Sequence, residues 1–140
     1  MDEFYIHLSS DNCKDLYPSN TTSDFKVQLP ERFELQGTWK CALVEIEYTL
    51  PSTLPTTISS LYLNTNICDG SIVGPTKLPI LRRLPLIPGT RRDVYSLPHY
   101  YPIKTYQLDV IHLYINTDIY RRASFFEGVL LCTLHFKRTA

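Results

Sequence analysis

The feature that most constrains the fold is a two-residue alternation of apolar and polar side chains in several short segments. A period of two places every second side chain on the same face, which is typical of a half-buried β-strand. The alternating apolar positions near the N-terminus are Phe4, Ile6, Leu8, Phe25, Val27 and Leu29. We therefore expect strands over these segments, and we expect Pro30 to end the second one because proline lacks a backbone N–H.

The same alternation recurs in three longer segments. Trp39–Tyr48 predicts a strand with Ala42, Val44, Ile46 and Tyr48 on one face and Glu45 and Glu47 on the other. Leu108–Ile115 predicts a strand in which Asp109 shares a face with Ile111, opposite Leu108. Val129–Phe136 predicts a strand whose buried face holds Leu130, Cys132, Leu134 and Phe136. A segment at Leu61–Leu63 is another candidate strand.

The middle of the chain is less regular. Residues 68–102 contain six of the ten prolines, and short strands are expected only near Ile80-Leu81, Leu84–Ile87 and Asp93–Leu97. A stretch of this kind usually carries contacts rather than core. In all, the sequence predicts an all-β chain, residues 1–140 forming a single jelly-roll sandwich of about eight antiparallel strands.

Charge and cysteine content narrow the range of possible functions. The chain has 14 basic and 14 acidic residues; residues 1–70 carry ten acidic and four basic side chains, a balance of −6, and residues 71–140 carry four and ten, a balance of +6. This asymmetry fits either complementary faces of a self-assembling subunit or a sandwich that mixes the two halves in space. A zero net charge gives no general attraction to nucleic acid.

The four cysteines are widely spaced, and the acidic start Met1-Asp2-Glu3 is not followed by the apolar stretch of a secretion signal. We expect reduced thiols in an intracellular compartment. No run of roughly 18 apolar residues predicts a membrane span.

No motif predicts catalysis, a metal site or a bound cofactor. The histidines lie away from cysteines and carboxylates at ligand spacings, so we expect a non-enzymatic protein with no metal, catalytic or cofactor-binding residues. Glu45 and Glu47, two apart on one strand face, are compatible with a hydrolytic carboxylate pair, although a solvated strand face accounts for them as well.

Arginine pairs and loop tyrosines are the candidate interface residues. Arginine and tyrosine are enriched where proteins meet, although arginine pairs also occur as solvated loop charge and as contacts to nucleic acid. The segment Pro98–Pro102 is either an exposed contact loop or a packed connection between strands. The predicted interface residues are Arg82, Arg83, Arg91, Arg92, Tyr95, Tyr100, Tyr101, Arg121 and Arg122.

Several segments also resemble a known family. They follow the order Tyr-Pro-x-Asn-Thr, Leu-Pro, Leu-x-Gly-x-Trp and Leu-x-Glu-Ile, and together cover about half of the chain. The segments are Phe4–Leu8, Tyr17–Thr21, Phe25–Pro30, Phe33–Lys40, Ala42–Ile46, Leu108–Ile115, Phe126–Val129 and Thr133–Phe136. In these segments the chain resembles the penton-type minor capsid proteins of Polinton (Maverick) elements and adintoviruses.

The resemblance implies a structural role in the capsid of a virion that is assembled inside a host cell, in the nucleus or cytoplasm. It implies a single jelly roll that forms homopentamers at the icosahedral fivefold vertices and contacts a double-jelly-roll major capsid protein. Residues 68–102 have no counterpart in the resemblance. The alternative function is a jelly-roll carbohydrate- or receptor-binding module, in which Trp39 and the loop tyrosines would serve as platforms for sugars.

Overall fold

The alternating segments fold into strands. A computed structural model describes residues 2–118 and 121–139, and within those ranges it contains no helix. The strands are β1 (Glu3–Ser9), β2 (Asp24–Glu34), β3 (Trp39–Leu50), β4 (Leu61–Thr65), β5 (Ser71–Val73), β6 (Thr76–Leu78), β7 (Ile80–Leu84), β8 (Gly89–Val94), β9 (Tyr101–Pro102), β10 (Gln107–Thr117) and β11 (Glu127–Arg138).

Two antiparallel sheets face each other. The front sheet has the order β1-β11-β3-β8, with β9 pairing to β3, and the back sheet has the order β2-β10-β4-β7. The chain crosses from one sheet to the other between β1 and β2, β2 and β3, β3 and β4, β7 and β8, β9 and β10, and β10 and β11. This is the strand order of a jelly roll, which confirms the predicted all-β jelly-roll fold and the strand number of its two sheets.

The core lies between the two sheets and draws on both ends of the sequence. Leu43 and Leu134 of the front sheet and Leu113 of the back sheet have no exposed surface. Burying one such side chain contributes roughly 1.5–3 kcal/mol to folding. Tyr48 is the largest fully buried side chain among the described residues, and its hydroxyl is satisfied because it donates a hydrogen bond to the carbonyl oxygen of Pro85 at 2.8 Å.

A β-bulge in β3 corrects one prediction. Along the β3–β11 pairing, Glu45 lies opposite Thr133 and Leu43 lies opposite Leu134, so Val44 is an extra residue without a partner. An extra residue moves the side chains that follow it to the opposite face of the sheet from the one that strict alternation predicts. The core face is therefore built from Leu43 before the bulge and Ile46 after it. The prediction that Ala42 and Val44 share the face of Ile46 was wrong.

A second irregularity, between β2 and β10, corrects two more predictions. The pairing passes from Val110 opposite Gln28 to Leu108 opposite Phe33. Pro30 falls in the skipped stretch of an edge strand, where no hydrogen bond needs its missing N–H, so β2 continues to Glu34. The same shift brings Leu108 into the core beside Ile111 rather than opposite it.

The proline-rich middle is more regular than its sequence indicates. It contains the β5–β6 hairpin, which the alternation did not predict, and single strands β7 and β8 in place of the expected short ones. Ile80, Leu81 and Leu84 of β7 are buried. This stretch therefore contributes to the core as well as to the surface, because β7 completes the back sheet.

The two faces of β11 give a matched test of the register. Leu134 is completely buried, whereas Leu131, three residues earlier, is 45% exposed on the opposite face. We expect Leu134→Ala to lower the free energy of unfolding by about 2–5 kcal/mol, the usual cost of a cavity in a packed core. Leu131→Ala should change it by less than about 1 kcal/mol. Equal losses in chemical denaturation would contradict this register.

The cysteines give a second test. All four are free, and Cys41, Cys68 and Cys132 are buried while Cys13 is partly exposed. Burial, and then the hydrogen bond with Cys68, raises the pKa of the Cys41 thiol, and burial raises the pKa of Cys132 to about 12. Because thiolates are the reactive form, we expect one fast-reacting thiol in the native protein at pH 8 and none in Cys13→Ser. Fast labelling of several thiols would count against this packing.

Candidate protein–protein interface

Three of the predicted interface residues meet where the sandwich is open between the edge strands β7 and β8. The guanidinium of Arg82 stacks 3.9 Å from the ring centre of Tyr95 and donates a hydrogen bond to the carbonyl oxygen of Leu97 at 3.3 Å. Arg91 donates to Asp93 at 2.8 Å. Burial, and then the charge of Asp93, raises the pKa of Tyr95. These contacts join the two sheets within one chain.

Arg92 and Arg83 lie on opposite outer surfaces. Arg92 projects from the front sheet and donates to the Glu45 carboxylate at 3.0 Å. Arg83, on β7 of the back sheet, is exposed and donates to the hydroxyl of Ser60 at 2.8 Å. Both guanidiniums keep further N–H groups directed to solvent, because each uses one donor in these contacts.

Tyr100 and Tyr101 pack against the chain. Tyr101 lies opposite Cys41 in the short β9–β3 pairing and packs against the core. The Tyr100 hydroxyl lies 2.7 Å from Nδ1 of His135, whose Nε2 is 3.3 Å from a Glu3 carboxylate oxygen. A neutral His135 protonated on Nε2 donates to Glu3 and accepts from Tyr100. Pro98–Pro102 is therefore a packed connection between strands rather than an exposed contact loop.

Arg122 belongs to a polar cluster on the outer face of the back sheet. It donates to Asp24 at 2.7 Å and to Asn116 at 2.5 Å, and its guanidinium stacks 4.0 Å from the ring centre of Tyr114. His112 donates to the other Asp24 oxygen at 2.6 Å. Burial alone would raise the pKa of Asp24, but Arg122 and His112 outweigh it, and the pKa lies below its ordinary value.

Arg121 differs from the other arginines. It is exposed, and its side chain makes no hydrogen bond or ion pair with the part of the chain that the structure describes. The nine predicted interface residues thus occupy separate places rather than one site. Of the nine residues, Arg83, Arg92, Arg121 and Arg122 are exposed, and Arg122 already has partners in Asp24 and Asn116.

The sequence interpretation missed a row of exposed apolar side chains on the outer face of the front sheet. In register across the sheet, Leu131 lies opposite Glu47, and Val94 lies opposite Glu45. The exposed apolar residues of this face are Tyr5, Val94, Val129 and Leu131. Apolar groups within a polar rim mark interaction sites. The signal was present in the sequence, because Val129 and Leu131 are apolar on the face opposite the core.

A shallow depression lies within this face. Its volume is about 340 Å³, and its lining residues include His7, Glu45, Leu131 and Thr133. His7 Nδ1 and the Thr133 hydroxyl are joined by a 2.9 Å hydrogen bond. The depression is open and mixed in polarity, which suits a side chain of a docked partner better than an enclosed small molecule.

The structure bears on two alternative functions, sugar binding through Trp39 and hydrolysis through Glu45 and Glu47. Trp39 is only 7% exposed, and its indole N–H donates to the carbonyl oxygen of Gln36 at 2.8 Å. It is therefore not a sugar-binding platform. Glu45 and Glu47 project from the front sheet as expected, and Glu45 is paired with Arg92. An ion pair of this kind is typical of a solvated strand face, and it engages one of the two carboxylates that a hydrolytic pair would need.

A metal site would require a cluster of ligands, and a helical membrane span would require a long apolar helix. Within residues 2–118 and 121–139, no group of three or more histidine, cysteine or carboxylate side chains is arranged to hold a metal ion. Across the same described ranges, no helix has the length and hydropathy needed to cross a bilayer.

The Asp24 cluster predicts a pH dependence. A carboxyl group whose pKa falls on folding stabilises the folded state above its unfolded value, near 3.8, and this contribution is lost as pH falls through the lower folded value. We expect Asp24→Asn to lower the melting temperature at pH 7 and to have much less effect below about pH 3. The measurement is thermal unfolding between pH 2 and 7, with exposed Asp15→Asn as the control.

Comparison with known proteins identifies a solved structure with a similar fold. No family model and no curated protein sequence matches the chain. Among solved structures, the chain is similar to the penton protein of mavirus, with a TM-score of 0.66. The alignment covers 98% of this chain and 100% of the mavirus chain at 5% sequence identity. At that identity the likeness defines the fold, and the predicted penton-type jelly roll is confirmed at that level.

Proposed function

We propose that the chain is a non-enzymatic structural protein of a viral capsid, the penton subunit that occupies the fivefold vertices. The observation that carries the proposal is the end-to-end likeness to the mavirus penton protein, 98% of one chain on 100% of the other. A match along the whole jelly roll includes the connections as well as the sheets. The segments that resemble Polinton and adintovirus penton proteins support the same role.

The proposed assembly is a ring of five identical subunits, formed by residues 1–140 as one jelly-roll domain. A ring needs heterologous contacts, in which one surface of a subunit meets a different surface of its neighbour. The outer face of the front sheet offers Val94 and Leu131 beside the carboxylates of Glu45 and Glu47. The back sheet offers the exposed Arg83 on β7, and the exposed Arg121 lies beside the end of β10, where its carbonyl oxygen accepts a hydrogen bond from Thr117.

Glu47 and the exposed arginines are opposite in charge, whereas Glu45 is already paired with Arg92 of its own chain. We infer that the front-sheet outer face of one copy contacts the arginine-bearing side of the next. Apolar contacts at the centre and arginine–carboxylate pairs at the rim are the usual anatomy of such an interface. In the virion, the ring would sit among double-jelly-roll major capsid proteins, and no catalytic step or cofactor is required for this role.

The ring predicts a specific effect of one charged substitution. Leu131→Asp places a carboxylate on the proposed contact surface, where it must be desolvated on assembly, and we expect it to leave the subunit folded but monomeric. Ile72→Asp is the matched control, since Ile72 is 84% exposed on the β5–β6 hairpin, away from the front sheet. Native mass spectrometry distinguishes pentamers from monomers in each variant.

Two results would count against the proposal. A wild-type chain that stays monomeric at high concentration, and also fails to join particles when co-expressed with a double-jelly-roll capsid protein, would contradict the penton role. Pentamers that persist in Leu131→Asp would instead contradict the contact surface while leaving the role in place.

A further inference from the structure

The edge strand β1 has an open row of backbone hydrogen-bonding groups. Among the described strands it pairs only with β11. The Ser10 N–H donates to the carbonyl oxygen of Leu130 in β11, whereas the Ser9 N–H turns away and donates to the side chain of Asn12. Because these directions alternate along an antiparallel strand, Glu3, Tyr5 and His7 direct their N–H and C=O groups to the free edge.

The other edge strands of the two main sheets carry features that discourage pairing. β2 contains Pro30 and a break in register, β7 carries Arg82 and Arg83 and a break in register, and β8 is charged at three consecutive positions. Proline, bulges and charge are the usual protections of an exposed edge. By contrast, β1 pairs in unbroken register over Glu3–Ser9 and contains no proline, glycine, lysine or arginine. Its edge is flat and open.

An apolar pocket lies beside this edge, where the sandwich opens between β1 and β2. Its volume is about 240 Å³, and Phe4, Phe33, Leu35 and Trp39 line it. The ring of Phe4 is 5.5 Å from the ring of Phe33 and 5.5 Å from that of Trp39, measured between centroids. A pocket of this size and aromatic lining accepts one large apolar side chain.

The charges around the pocket indicate which charged residue a bound segment would carry beside its apolar side chain. Arg138, on the rim, is neutralised by an ion pair with Asp2 at 2.5 Å. Within the described residues, the carboxylate of Glu34 on the pocket rim accepts from the side-chain amide of Gln107 at 3.2 Å, and Glu3 contacts His135 at 3.3 Å. Glu34 at the pocket and Glu3, the neighbour of Phe4 on β1, thus have no permanently charged partner among these residues, and a basic residue of an incoming segment complements them.

We propose that β1 is a docking site for an extended peptide segment of a partner protein, which adds to the front sheet as an antiparallel strand. Backbone hydrogen bonds to Glu3, Tyr5 and His7 hold the segment, a large apolar side chain fills the pocket, and an adjacent lysine or arginine meets Glu3 and Glu34. This is strand addition, in which the ladder gives affinity and the pocket gives specificity.

The occupant that we propose is not a second copy of this chain. Two copies joined through β1 would form a closed two-fold pair, but β1 contains no lysine or arginine to meet Glu3 and Glu34, and the other edge strands of the two main sheets carry the protections described above. The proposal goes beyond the penton role and does not depend on it, since the docking site is complete within one subunit.

The probe is a synthetic peptide that copies residues 128–139, with Cys132 replaced by serine. This segment already pairs with β1 on its other side, alternates apolar side chains and ends in Lys137-Arg138. Paired antiparallel, its basic end lies at Glu3. With saturating peptide, we expect the amide hydrogens of Tyr5 and His7 to exchange at least about tenfold more slowly, since they gain acceptors. The amides of Phe4 and Ile6, already bonded to β11, should change little.

A matched pair of variants isolates the backbone contribution. Tyr5→Val and Tyr5→Pro both remove the ring, but only proline removes the outward N–H, which a strand edge tolerates. We expect Tyr5→Val to keep the protection of His7 by the peptide and Tyr5→Pro to abolish it, with similar melting temperatures. If Tyr5→Pro fails to fold, the same comparison is made between His7→Pro and His7→Val, with the protection of the Tyr5 amide by the peptide as the measured quantity.

Three results would overturn the proposal. The first is unchanged exchange at Tyr5 and His7 with millimolar peptide. The second is full protection in a folded proline variant. The third is protection that rises with protein concentration without peptide, which would make a second copy the occupant. None of these results bears on whether the chain forms a five-membered ring, so a failed docking site and a failed penton role are distinguishable.

Discussion

The pairing of β3 with β11 is the contact around which the two sheets are arranged. Both are central strands of the front sheet, and their inner faces supply Leu43, Ile46 and Leu134 to the core. The pairing contains one extra residue, Val44, and without that bulge either the first or the second half of β3 would turn its apolar side chains to solvent. The position of the bulge therefore decides which residues are core and which are surface.

The same bulge determines the outer face. Because Glu45 and Glu47 follow Val44, they project outward in register with Val94, Thr133 and Leu131. This row contains the apolar and acidic groups of the proposed subunit contact. The register of β3 against β11 thus determines both the core packing and the proposed assembly surface, and a shift of one residue would disturb both.

The sequence predicted the strands well and the irregularities poorly. Strong alternation located β1, β10 and β11, since a half-buried strand imposes a period of two on its own residues. The bulges at Val44 and near Asp109 were not predictable, because a bulge depends on the partner strand and leaves no local signal. The prediction that Pro30 ends a strand failed for the same reason, since the break in pairing that accommodates Pro30 involves both β2 and β10.

The candidate site was predictable in residue type but not in place. Arginine and tyrosine were identified as contact residues, yet Arg82, Arg91 and Arg122 have partners within the chain, and only the fold shows which guanidiniums are satisfied. The exposed row with Val94 and Leu131 was within reach of the sequence, because apolar residues on both faces of a strand indicate two buried surfaces. The open edge of β1 needed the strand order, which alternation alone does not contain.

The central claim is that this jelly roll occupies the fivefold vertices of a capsid. The most direct measurement is cryo-electron microscopy of particles made by co-expressing the chain with a double-jelly-roll capsid protein. We expect five copies at each vertex, with the front-sheet outer face of each against the neighbouring copy. Vertices filled by another protein, or this chain lying elsewhere on the particle, would contradict the account.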